Sequence, residues 1–177
     1  MNFLNRFPSR KQLVPVYAVA VAVIYGWSML RFFWRLPSLL NYSTVGDIGI
    51  IFSYLIAVNF FESLAVVSVP VIFSLILPRK WFYDQFITMG VLLVSLGLGY
   101  MIFVESHINE VEAFPYTLFQ WMPLVFLAIL VFVLFVGRIA FLKRVLEDIS
   151  ERFEIFLFIS IPISVIAILV VLIRNIF

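Results

Sequence analysis

Cysteine is absent from this 177-residue chain, and histidine occurs once. Without cysteine there is no disulfide, no thiol nucleophile and no thiolate ligand for a metal. Charged residues make up only 12% of the sequence, so few side chains remain for acid–base chemistry. The sequence also has no G-x-x-x-x-G-K phosphate loop and no H-E-x-x-H zinc motif. A self-sufficient enzyme is therefore not expected, and we predict no catalytic residues and no cofactor.

Hydrophobic residues make up 64% of the chain and gather in five long runs, at 13–36, 48–77, 86–104, 118–142 and 153–176. A helix crosses a bilayer with roughly 20 mostly apolar residues, and each run is about that long or longer. The runs are too continuously apolar for barrel strands, which alternate over roughly 10 residues. The sequence therefore predicts an all-α, polytopic integral membrane protein. We expect one domain over 1–177, a bundle of five transmembrane helices.

Basic residues are divided unequally between the two ends of this bundle. If the N-terminus is cytoplasmic, nine of the 12 Lys and Arg residues lie inside, and Arg31, Arg35 and Arg174 lie outside. Cytoplasmic loops carry an excess of basic residues, which predicts an N-in, C-out orientation. We place the protein in the plasma (inner) membrane. The first run is too long for the apolar core of a cleaved signal peptide, which indicates an uncleaved signal-anchor.

Three segments carry further local predictions. The stretch 31–42 mixes Arg, Trp, Leu and Pro, and we expect it to lie along the outer surface. The fourth run has almost no polar residue between Leu124 and Val136, which is typical of a lipid-facing helix. Between the last two runs, opposite charges stand four residues apart, so we expect the fourth helix to extend into the cytoplasm. A docking surface for a cytoplasmic partner is the alternative for that segment.

Glu62 is the candidate functional residue within the apolar runs. It lies midway along the second run, near the bilayer midplane, where a carboxyl group is costly and suggests a function. Asn59 is one turn away, and Ser95 and Ser164 lie near the middle of their own runs. No Lys or Arg lies at this depth, so desolvation favours the neutral acid. We predict a buried polar cluster in which Glu62 hydrogen-bonds with some of Asn59, Ser95 and Ser164.

A second set of polar residues lies in the gap after the third run. This gap contains Glu105, His107, Glu110 and Glu112. Zinc sites usually have three or four protein ligands, and one histidine with carboxylates on a loop is a weak indication of a metal. We predict a solvated acidic loop on the outer face and no metal site.

The most economical function is that of a small, non-enzymatic, multi-pass membrane protein. We expect it to be a subunit or accessory partner of a membrane complex. Its expected partners are the lipid bilayer and other membrane protein subunits, and no nucleic acid. One alternative is a component of a transporter or channel that uses a protonatable Glu62. Another is a membrane enzyme module acting on a lipid-linked substrate at the outer face, through the acidic loop with Arg31 or Arg35.

Overall fold

The computed structural model describes residues 7–79, 81–108, 116–137 and 139–176. Within these ranges the fold is all-helical and contains no β-strand. The helices are α1 (Arg10–Tyr42), α2 (Val45–Ile76), α3 (Phe86–Ile108), α4 (Tyr116–Val136), α5 (Ala140–Phe153) and α6 (Ile155–Ile176), with a 3₁₀ turn at Tyr83–Gln85. All of them except α5 are long and apolar enough to cross a membrane. The predicted all-α chain, with five helices long and apolar enough to span a membrane, is confirmed.

The α1–α2 connection is a tight turn of two residues, Ser43 and Thr44. Thr44 caps α2: its hydroxyl donates to Asp47 Oδ2 at 2.6 Å and accepts from the Asp47 backbone N–H at 3.3 Å. These bonds satisfy backbone donors at the start of the helix. The segment 31–42, which we expect along the outer surface, is the last part of α1. A continuous helix keeps its backbone groups paired, and at Pro37 one hydrogen bond is lost.

Successive spanning helices run in opposite directions, so the bundle has two distinct ends. One end, which we call the basic end, contains Arg10, Lys11, Arg79 and helix α5. The other, which we call the opposite end, contains the α1–α2 turn and the C-terminal parts of α3 and α6.

Helices α1 and α3 form the centre of the bundle: α1 contacts α2, α3, α5 and α6, and α3 contacts α1, α2, α4 and α5. Small and β-branched residues on α1, including Val16, Ala18 and Ala20, are fully buried. Helix α4 is the least buried span: 6% of its most apolar window is buried, against 44% for the α3 span. Such exposure agrees with the expected lipid-facing position of α4, since apolar side chains need no burial in protein when they lie against lipid.

The segment between α4 and α6 differs from its prediction. Helix α4 ends at Val136 rather than continuing, and α5 is a separate helix that packs against α1 and α3. The break occurs at buried Gly137, where a β-carbon would lie 3.0 Å from Met89 Cγ and 2.8 Å from the Val133 carbonyl oxygen. The absence of a side chain therefore lets the chain turn close to α3.

Helix α5 is amphipathic, which explains its position. Leu146 and Phe153 pack against the core of the bundle. Two ion pairs, Lys143–Glu147 at 4.0 Å and Arg152–Asp148 at 3.0 Å, lie among its more exposed side chains. A further stripe of apolar residues on α5 remains exposed, at Phe141, Val145 and Ile149. A helix with one apolar and one charged face is typical of the membrane–water interface.

Helices α2 and α3 approach each other near the basic end. There a β-carbon on Gly90 would lie 3.0 Å from Val16 Cγ2 and 3.7 Å from Pro70 Cβ, so α1, α2 and α3 all converge on this glycine. Phe73 of α2 and Phe82 also pack together, with ring centroids 6.3 Å apart. Toward the opposite end α2 and α3 are separated by a groove whose floor is α1.

Candidate functional site

The groove between α1, α2 and α3 has a volume of about 550 Å³ and combines apolar walls with a line of polar side chains. From the opposite end inward, the polar lining residues are Arg35, Arg31, Glu105, Trp27, Ser28, Asn59 and Glu62. Ligand sites in proteins are commonly clefts of this size, mostly apolar with a few polar groups. We therefore take this groove as the candidate functional site.

The mouth of the groove is organised by a cluster of three side chains. Arg31 on α1 forms an ion pair with Glu105 on α3. Trp27, one turn below Arg31, donates its indole N–H to Glu105 Oε2 at 2.7 Å. The Arg31 guanidinium also lies 5.8 Å from the centre of the Trp27 ring, which is within the range of a cation–π contact. Together these contacts join α1, at Trp27 and Arg31, to the C-terminal part of α3.

Arg35 lies one further turn toward the opposite end and is exposed. Over the part of the chain that the structure describes, no carboxylate lies within 4.0 Å of its guanidinium. Within the described ranges, the mouth therefore presents one arginine that is ion-paired and one that is not.

Asn59 lies deeper in the groove and is 2% exposed. Its Oδ1 accepts a hydrogen bond from Ser28 Oγ at 2.9 Å. Its Nδ2 has no hydrogen-bond partner among the described residues. A buried donor without a partner costs about 1–3 kcal/mol. The carboxamide oxygen of Asn59 is therefore hydrogen-bonded, whereas its NH₂ group has no acceptor among the described residues.

Glu62 is the deepest polar residue of the groove. At about 1.5 Å per residue it lies about 26 Å from the start of α2 at Val45 and about 21 Å from its end at Ile76. Its side chain is exposed to the groove. Among the described residues, its carboxyl group forms no hydrogen bond, and no basic group lies within 4.0 Å of it. The bundle therefore places a carboxyl near mid-span without giving it a partner.

The predicted cluster of Asn59, Glu62, Ser95 and Ser164 is not assembled in the structure. Asn59 bonds to Ser28, and Ser164 Oγ lies 2.6 Å from the Tyr25 hydroxyl and donates to the Ser160 carbonyl at 2.5 Å. Ser95 is half-buried on α3 and has no hydrogen bond to Glu62. The reason is that equal depth does not imply a shared face: Ser164 on α6 meets α1, whereas Glu62 faces the gap between α2 and α3.

The predicted outer acidic loop lies only partly within the described residues. Glu105 belongs to the mouth of the groove, while Glu110 and Glu112 lie outside the described ranges. His107 bonds through Nδ1 to the Phe103 carbonyl oxygen at 2.9 Å, and its ring centre lies 4.1 Å from that of Phe103. In the part of the chain that the structure describes, no three His, Cys, Asp or Glu side chains come close enough together to hold a metal ion.

The polar stripe of α1 was not predicted. Trp27, Arg31 and Arg35 recur every four residues, a spacing that puts them on one face of a helix. This spacing is the signal that identifies the stripe. That this stripe lies in the same groove as Glu62 depends on how α1 packs against α2, which cannot be read from hydropathy.

A second groove, with a volume of about 510 Å³, lies between α2, α3 and α4. Its lining is apolar and includes Pro70, Phe73, Phe126 and Leu130. The two grooves share Leu98 and Met101 of α3. The two grooves together therefore form one long seat, which is polar toward the opposite end, between α2 and α3, and apolar toward the basic end, where α4 lies beside them.

In comparisons with known proteins, the chain matches no family, no curated protein and no solved structure.

Proposed function

We propose that this protein is a non-enzymatic membrane subunit that assembles with another integral membrane protein over the groove between α2 and α3. The observation that carries the proposal is Glu62, a carboxyl near mid-span that faces an open groove and has no partner among the described residues.

The energetic argument is that a partner lowers the cost of exposing Glu62. An acidic side chain at the centre of a spanning helix costs about 2.5–3.5 kcal/mol on insertion scales. Such residues are almost always directed to a bundle interior or a polar cavity and paired there. Since the described part of the bundle supplies no such pair, a helix of a second protein across the groove would supply it.

Recovery of the partner from native membranes tests this proposal. We expect the tagged protein, purified in mild detergent, to retain a membrane protein in stoichiometric amount, and Glu62→Leu to lose it. Glu151→Leu is the matched control, because Glu151 is also an exposed carboxyl but lies on α5, away from the groove. Retention of the same partner by Glu62→Leu would contradict assembly through the groove, as would purification of the wild-type protein alone.

A second candidate function is that of a transport or channel component. The observation that favours it is the polar line from Glu62 through Asn59 and Ser28 to the mouth at Arg31. Such a line gives a proton or ion a path from one end of the bundle to mid-span. We expect pH-dependent flux in proteoliposomes that is lost in Glu62→Gln, because glutamine keeps hydrogen bonding but cannot titrate. Flux that is unchanged in Glu62→Gln would exclude a proton-coupling role.

We also propose that the basic end faces the cytoplasm of a plasma (inner) membrane, with the N-terminus inside and the C-terminus outside. The excess of basic residues at that end supports this orientation. The chain has no cysteine, so single cysteines report location without a background. With an impermeant maleimide on intact cells, we expect labelling of Asn175→Cys and protection of Ser9→Cys. The reverse pattern would refute the orientation.

A further inference from the structure

We propose that the occupant of the groove is a membrane-spanning helix with a basic side chain near its midpoint and an acidic side chain about ten residues nearer the opposite end. This proposal rests on the proposed function, and it specifies the chemistry of the partner.

The charges of the groove are ordered along its length. Among the described residues, Glu62 is a carboxyl at depth without an ion-pair partner, and Arg35 is a guanidinium at the mouth without one. Between them, Arg31 and Glu105 neutralise each other. A complementary occupant therefore has a positive group at the depth of Glu62 and a negative group at the mouth.

The spacing of these two groups follows from the helices that carry them. Arg35 lies about 10 Å from the end of α1 at Tyr42, and Glu62 lies about 26 Å from the start of α2 at Val45. Because only two residues connect these antiparallel helices, the two charges are separated by about 15 Å along the bundle. A helix rises about 1.5 Å per residue, so about ten residues of a partner helix span this distance.

A helix fits these requirements better than a lipid does. A lipid phosphate would pair with Arg35, but its acyl chains would leave Glu62 facing hydrocarbon. A spanning helix satisfies its own backbone and can present a charged side chain at any depth. The groove volume of about 550 Å³ accommodates side chains inserted from a helix that lies across the opening. The adjoining apolar groove, joined at Leu98 and Met101, extends the seat toward the basic end.

The test uses synthetic spanning peptides in phosphatidylcholine vesicles that contain the purified protein. The matched peptide is a 25-residue Leu–Ala helix, about the length that crosses a bilayer, with Lys at its centre and Glu ten residues toward its C-terminus. The comparison peptides have Leu at the centre, or have the two charges exchanged. Association is measured by energy transfer between a dye on the peptide and a dye on the protein.

We expect the matched peptide to bind at least tenfold more tightly than the peptide with a central Leu. In the double variant Glu62→Lys with Arg35→Glu the preference should change to the charge-exchanged peptide, while Glu151→Lys should behave as the wild type does. Equal binding of the matched and central-Leu peptides would overturn the proposal, as would an unchanged preference in the double variant. If a native partner depends on Glu62 but the peptides show no charge preference, the subunit function stands and the predicted partner chemistry is wrong.

Discussion

Gly90 offers a quantitative test of how the helices converge beside the groove. A β-carbon at this position would lie 3.0 and 3.2 Å from the two γ-carbons of Val16, and 3.7 Å from Pro70 Cβ. Val16 is fully buried, so its methyl groups have little room to move. Gly90→Ala must therefore push α3 away from α1, or force Val16 out of its preferred rotamer.

The expected magnitude comes from a comparison with Gly26→Ala. A β-carbon on Gly26 of α1 would meet nothing within 4 Å. Both substitutions change the intrinsic helix preference by up to about 1 kcal/mol in favour of alanine, and this contribution cancels in the difference. Overpacking a well-packed core costs typically about 1–3 kcal/mol. Gly90→Ala should therefore be less stable than Gly26→Ala by about 1–3 kcal/mol.

The assay is reversible unfolding of each purified variant in mixed micelles, with increasing fractions of a denaturing detergent. The four tryptophans of the chain provide the fluorescence signal. Free energies of unfolding that agree within about 0.5 kcal/mol for the two variants would refute the argument that α1, α2 and α3 are closely packed at Gly90, because additive errors are of that size.

Three further predictions use the same unfolding assay. A double-mutant cycle of Tyr25→Phe and Ser164→Ala should give a coupling energy of about 0.6 kcal/mol, which is typical of polar contacts between membrane helices. A coupling energy near zero would mean that the 2.6 Å contact between the two hydroxyls does not stabilise the packing of α6 on α1. Replacing both Ser28 by Ala and Asn59 by Leu should leave the isolated chain equally or more stable, because an unpaired buried donor is removed. A decrease of more than about 1 kcal/mol in the free energy of unfolding would show that the Asn59 amide N–H is hydrogen-bonded in solution. Gly137→Ala should destabilise the chain, because its β-carbon would lie 2.8 Å from a backbone oxygen; unchanged stability would mean that the α4–α5 turn relaxes freely.

Hydropathy was sufficient for the class of the fold and for the depth of Glu62, because both depend on length and composition. Hydropathy was not sufficient to predict which faces of the helices pack together, and therefore which side chains are in contact. Helices such as α2 and α6 are apolar on nearly every side, so their sequences hold little information about rotation around the helix axis. Ser164 and Glu62 were therefore expected together, although Ser164 contacts Tyr25.

The break between α4 and α5 was missed for a different reason. A glycine such as Gly137 can occur inside a helix, so the sequence alone did not indicate a break. A side chain at this position would meet Met89, and that proximity arises only from tertiary packing. By contrast, the alternation of charged and apolar residues in α5 was visible in the sequence. The pairs Lys143–Glu147 and Arg152–Asp148 have the predicted spacing.

Helix α5 also bears on how the protein responds to bilayers of different thickness. Helix α5 packs against α1 and α3. Its charged face favours water, whereas the exposed apolar side chains of Phe141 and Val145 favour hydrocarbon. In a bilayer, α5 would therefore anchor the basic end at one interface, and the depth of Glu62 would be fixed relative to that interface. A thinner or thicker membrane would shift the lipid headgroups around Arg35 at the far end while leaving Glu62 at nearly constant depth from the anchored surface.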